Sequence, residues 1–254
     1  MEKYKITVDN ISAVVISLSC SDILGMTDTE SYLRALLSRE VPSGISLAVY
    51  PSPVCDLGVR GLYTEGGFSL EIPPAEALLI FSAFWRLVRG NPCTELEVDL
   101  FGTRTLIELV DTPHGIASVK LEKCKLLLSF SAELDLGVPI SLADASVLGC
   151  VVRGIITDSP SMVPEHTLRG ARILHSRPDA RVVCAISHGS PEQMRIYSPY
   201  PTRITAALGA AAYLFSAGKY GFDKEIDFGT GLSVAKDGVS GTLIRAKCSA
   251  DRKG

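Results

Sequence analysis

Apolar and polar residues alternate with a period near two through much of the chain. Alternating or β-branched runs at residues 5–18, 45–54, 96–109, 116–128, 147–157, 181–187 and 239–248 predict strands. Two stretches break this rhythm. Residues 74–89 carry Leu78, Leu79, Ile80, Phe81, Phe84, Trp85, Leu87 and Val88. Residues 202–217 set Ile204, Leu208, Tyr213, Leu214 and Phe215 among small alanines and glycines. Both predict helices, and neither keeps a broad polar face, so each is expected to be buried on most sides. A helix enclosed by a curled sheet meets that demand, and alanine lets the strands come close. Gly90 and Gly218 follow the two runs, where a residue free to turn left-handed ends a helix.

The two helical runs belong to a repeat. Glu225-Ile226-Asp227-Phe228-Gly229-Thr230 matches Glu97-Val98-Asp99-Leu100-Phe101-Gly102-Thr103, with Glu97 and Glu225 128 residues apart and one extra residue in the earlier copy. Upstream, Leu62-Tyr63-Thr64 corresponds to Ile196-Tyr197-Ser198, each a strand end ahead of its helix. Helix, glycine stop and following strand thus recur at one offset of 128, close to half the chain, and the preceding strand end recurs at a similar one of 134. The expected organisation is a first barrel-helix repeat over residues 1–126 and a second over 127–254, with the C-terminal strand free to return to the first.

Composition narrows the partners. Of the 254 residues 46% are hydrophobic and 21% charged, which describes a folded globular chain, and the formal charge is −3. There is no basic stripe with interleaved aromatics, so nucleic acid is not an expected partner. The apolar stretch 11–18 is too short to span a bilayer, so no membrane is expected either. Seven cysteines form no CxxC pair and have no histidines at metal-ligand spacing, so neither a metal nor a cofactor is implied. The odd, scattered thiols fit a reducing, cytoplasmic setting.

The residues with chemistry to offer gather at the two helix starts. Glu76 follows Pro74 in the first turn of the first helix. There it complements the helix dipole, or it serves as a general base or acid. Thr202 and Thr205 have the spacing of an N-cap and a third position; they cap the helix, or their hydroxyls help hold a carboxylate. Arg203 is either solvated or the bidentate grip for that carboxylate. His188, in a turn of "SHGSPEQ", is either an exposed loop histidine or a fourth contact. Gly66-Gly67 and Phe228-Gly229-Thr230-Gly231 are expected to be turns and lack the features of a phosphate loop.

The segments "LYTEGGFSLE" (62–71) and "GAAAYLFSAGKYG" (209–221) resemble elements of the diaminopimelate epimerase family, whose superfamily also contains proline racemases and the phenazine-biosynthesis isomerase. The resemblance implies an α+β fold of two pseudo-symmetric tandem domains, each a β-barrel-like sheet around one central helix. It implies a site at the amino ends of both helices, in a cleft between the halves, for a small carboxylate-bearing molecule. It implies cofactor-independent isomerase or epimerase chemistry by proton transfer, and a homodimer. That family places a cysteine at each helix start. Here those positions hold Glu71-Ile72-Pro73-Pro74-Ala75-Glu76 and Ala206 or Ala207, so a two-thiol mechanism is not expected. One carboxylate base suits a 1,3-proton shift on one face better than inversion. The alternative is a non-catalytic member of the fold that binds a small carboxylate or serves as an interaction or structural protein.

Overall fold

The computed structural model describes residues 1–90, 94–110, 113, 115–121, 124–134, 138–157, 180–188, 194–197, 201–216, 224–238 and 241–252. The chain forms two compact units, one of Met1–Lys120 with Ala246–Gly254, the other Leu121–Arg245.

The first unit opens with a hairpin, β1 (Glu2–Val8) and β2 (Ile11–Ser17), where a single strand was expected over 5–18. Asp9 and Asn10 make the turn at φ 44° and 66°, a left-handed pair that short Asx side chains tolerate and that suits the twist of a two-residue hairpin. Two helices that the periodicity did not announce, α1 (Cys20–Ile23) and α2 (Thr29–Glu40), then lead to β3 (Gly44–Tyr50), parallel to β2. Next come β4 (Leu57–Glu65) and β5 (Phe68–Glu71), joined through Gly66-Gly67 at φ 56° and 83°. Helix α3 (Pro74–Phe84) runs into a π-helical turn over Trp85–Arg89 and stops at Gly90, φ 67°. After it lie β6 (Thr94–Leu100), β7 (Thr103–Leu109) and β8 (Ile116–Leu121).

The ring closes with the last strand of the chain, β16 (Gly241–Arg252). Its distal part pairs with β1 from Tyr4 opposite Arg252 to Val8 opposite Cys248. The order β1-β2-β3-β4-β6-β7-β8-β16 therefore returns to β1, eight strands without a free edge. Helix α3 fills the ring, and every residue from Ala75 to Phe84 is buried. The Tyr4 and Phe84 rings stand 5.5 Å apart, and Ser82 donates to the Ser118 carbonyl at 3.0 Å. Gly61 lets the strand meet the helix lead-in closely: a Cβ there would lie 2.5 Å from Ile72 Cδ1, so the Ile72 side chain would have to shift.

The second unit repeats this succession. Strand β9 (Cys124–Leu134) pairs with β10 (Val138–Val147), which forms a hairpin with β11 (Cys150–Thr157) through Leu148-Gly149 at φ 50° and 84°. Strand β12 (Ala180–His188) lies parallel to β11, as β3 does to β2, and β13 (Met194–Tyr197) is antiparallel to β12. Helix α4 (Arg203–Ser216) follows, then β14 (Glu225–Asp227) and β15 (Ser233–Asp237), which pairs with the first residues of β16. Ile204 to Leu214 are all buried. A Cβ on Gly209 would stand 3.0 Å from Val152 Cγ1, the close approach that explains the small residues of this helix. The expected Gly218 stop lies outside the described residues.

Fold class and architecture are those the periodicity and the resemblance implied: an α+β chain of two pseudo-symmetric tandem domains, each a curled sheet around one central helix. Among the described residues no helix is long and apolar enough to cross a membrane.

Candidate functional site: the starts of the central helices

The β4–β5 hairpin delivers the chain to α3. The Ile72 N–H donates to the Gly61 carbonyl at 3.2 Å, which fixes the entry. Pro73 occupies the N-cap position with no side-chain hydrogen bond, and Pro74 is the first helical residue, where its missing N–H costs nothing. Glu76 is third in the helix and fully buried, at 0% exposure. A fully buried carboxyl group is uncommon, since removing charge from water is costly unless partners compensate. The dipole of the first turn supplies part of that compensation.

At the second helix, Thr202 precedes the first helical residue and its carbonyl accepts from the Ala206 N–H at 3.0 Å. Thr205, in the same turn, is fully buried at 0% exposure. Arg203 is half-buried, and its Nη2 donates to the Phe228 carbonyl at 2.9 Å, the Gly229 carbonyl at 3.4 Å and Thr230 Oγ1 at 3.1 Å. The turn so gripped has Gly229, Thr230 and Gly231 at φ 77°, 56° and 90°, and Asp227 accepts from the Gly229 N–H at 2.8 Å. Sequence reasoning identified this turn but did not connect it to Arg203. The partners are backbone carbonyls, which no residue pattern advertises. His188 is the last residue of β12, opposite Met194, rather than part of a turn; its side chain lies outside the described part.

No described cysteine stands at either helix start. Cys20, Cys55, Cys150 and Cys248 are free thiols. Cys55 lies between β3 and β4, not on a strand. Burial is the main cause pushing the Cys55 and Cys248 thiols up, the opposite of what an activated thiolate needs. Cys93 lies outside the described residues. Among the described residues no three His, Cys, Asp or Glu side chains gather as a metal site would require.

No family profile and no curated protein matches the sequence. Solved structures do match the fold. A predicted epimerase from Pseudomonas aeruginosa aligns over 100% of this chain and 99% of its own, with 13% identity and a TM-score of 0.66. A phenazine biosynthesis protein from Bacillus anthracis aligns over 100% and 99%, with 12% identity and a TM-score of 0.62. A hydroxyproline epimerase from Agrobacterium vitis, solved with trans-4-hydroxy-L-proline bound, aligns over 99% and 92%, with 12% identity and a TM-score of 0.61. At such identities the likeness establishes the fold alone, the diaminopimelate epimerase-like fold.

Proposed function

We propose that this protein is a cofactor-independent isomerase that moves a proton next to the carboxyl group of a small amino acid or related carboxylate. The observation that carries the reading is the fully buried Glu76 in the first turn of a central helix, in a fold shared with epimerases. Buried carboxyl groups are enriched where proton chemistry is used, and burial keeps bulk water from competing for the proton. Glu76 takes the proton from carbon and returns it. Thr202 and Thr205, with the amino end of α4 and His188, orient the substrate carboxylate. Arg203 contributes by holding the 228–230 turn against that helix start. With one carboxylate and no paired thiols, a 1,3-shift on one face is the chemistry these residues suit.

The test is solvent-deuterium incorporation into a panel of amino acids and hydroxyprolines in heavy water, followed by proton NMR. Exchange by the native protein and its loss in Glu76→Gln is the expected result; undiminished exchange in that variant removes Glu76 from the mechanism. A second reading, a binding protein without turnover, draws on the thiol-free helix starts and on Arg203 being committed to the 228–230 turn. A ligand that raises Tm with no exchange at all would favour it.

A further inference from the structure

Strand β5 forms the outer edge of its hairpin: among the described residues it pairs with β4 and with no other strand. The hairpin turns on two residues, Gly66 and Gly67, so Glu65 and Phe68 close it as a hydrogen-bonded pair, and every second pair beyond them is bonded too. The Ile72 N–H, which donates to the Gly61 carbonyl at 3.2 Å, keeps that alternation. Phe68 and Leu70 therefore turn their backbone groups to β4, while Ser69 and Glu71 turn theirs to the free edge.

The side chains along this edge are apolar and uncovered. Phe68 is 81% exposed and Leu70 68%, and they share one face of the hairpin with Tyr63, which stands opposite Leu70. Sheet edges are ordinarily blunted by lysine, proline or a bulge. Phe68-Ser69-Leu70-Glu71 has neither lysine nor proline, and its register with β4 is unbroken. The strand is held in place from its other face. Ser69 Oγ lies 3.0 Å from Ser38 Oγ and 3.2 Å from Thr64 Oγ1, and Arg34 reaches Glu71 at 3.4 Å. An ordered, apolar and unpaired edge marks an interaction surface.

We propose that β5 is where a second copy of this chain joins, strand to strand, across a two-fold axis at Ser69. The edge is its own complement in that register. The Ser69 residues of the two copies exchange backbone hydrogen bonds, and Phe68 of each copy stands against Leu70 of the other, at the close spacing of a non-hydrogen-bonded pair. Glu71 meets Gly67 of the other copy, so no acid faces an acid. An axis at Leu70 would set Phe68 against Ile72, which is buried beside Pro73, and an axis at Phe68 would set Leu70 against Gly66 in the turn. Neither alternative covers both apolar side chains. The strand is four residues long, so the contact is smaller than a standard interface and the dimer is a reversible one. Nothing in this pairing depends on the reaction proposed above.

Sedimentation velocity of the full chain, from about 1 μM to about 1 mM, should show monomer passing to dimer. Phe68→Lys and Leu70→Glu, both changes at exposed positions, should each raise the dimer Kd at least about tenfold, because each sets a charge against an apolar side chain in both contacts of the pair. An equimolar mixture of the two variants should recover dimer, since one contact then joins lysine to glutamate and the other keeps phenylalanine on leucine. In the native protein the Ser69 amide should exchange with solvent more slowly at high concentration than at low, a readout that needs no variant. A native chain that stays monomeric throughout, a dimer untouched by both variants, a mixture no more associated than its components, or a Ser69 amide indifferent to concentration would overturn the proposal.

Discussion

Tyr50 shows how closely single residues are tuned to one another. It ends β3 directly opposite Gly58 of β4, and a Cβ on Gly58 would lie 2.3 Å from the tyrosine ring carbons Cε2 and Cζ. The ring covers the glycine and is 5% exposed. Burial, more than the nearby Asp99, raises its hydroxyl to about 12, while Arg60 pulls the other way. An unfolded tyrosine titrates near 10, so below that value both states keep the proton and stability is complete. Between about 10 and 12 the unfolded chain releases the proton and the folded chain does not, so stability falls as pH rises. The loss should approach roughly 2–3 kcal/mol and be absent in Tyr50→Phe. Urea denaturation of both proteins near pH 9 and near pH 12 checks it; equal losses in the two would refute the assignment. The burial of Glu76 and Thr205 was legible at this scale, because a helix expected to be buried on most sides carries with it whatever polar residues its first turn holds. The Gly58–Tyr50 match was not, since it depends on register.

Among the elements, the β10–β11 hairpin contains the least expendable polar contact. Its register sets Asp144 opposite Arg153, with Nε to Oδ1 at 2.7 Å and Nη2 to Oδ2 at 2.9 Å, and the side chains are 1% and 7% exposed. Removing one member of a buried pair strands the other charge, which typically costs about 3–5 kcal/mol, whereas replacing both with apolar residues can be neutral. Asp144→Asn should therefore lower stability by that amount, and Asp144→Leu with Arg153→Met should recover most of it, as read from denaturant midpoints. Asp144 escaped the strand expected over 147–157, because "SLADAS" breaks apolar alternation just where the buried charge sits. Helix α2 escaped for a different reason. Its signals are present: Asp28 accepts from the Ser31 N–H at 3.0 Å, and Leu33, Leu36 and Leu37 recur at helical spacing. Three leucines amid charges are a faint stripe beside α3 and α4, which are apolar throughout.

At the scale of the molecule, two similar halves were legible in the matching segments 128 residues apart, since like patterns favour like elements. A strand's partner is another matter. Periodicity gives β16 its existence, while its pairing with β1 joins residues more than two hundred positions apart, set by ring closure rather than by anything local. That closure can be tested. Cys248 N–H donates to the Gly115 carbonyl at 2.7 Å and Asp9 N–H to the Lys247 carbonyl at 3.1 Å, so residues 246–252 close the gap between β8 and β1. Without them β1 becomes a bare edge, an invitation to intermolecular pairing, and the apolar interior facing α3 is opened. Truncation after Arg245 should cost at least about 3 kcal/mol, counting several ladder bonds at roughly 1 kcal/mol each, and should promote aggregation on heating. Because Tyr4 faces Arg252 in an antiparallel register, the same segment can be moved ahead of Met1 and joined by a short loop. Such a permuted chain, ending at Arg245, should regain the Tm that the truncated chain loses. If truncation leaves Tm unchanged, or the permuted chain stays as unstable as the truncated one, the strand is not what closes the first barrel.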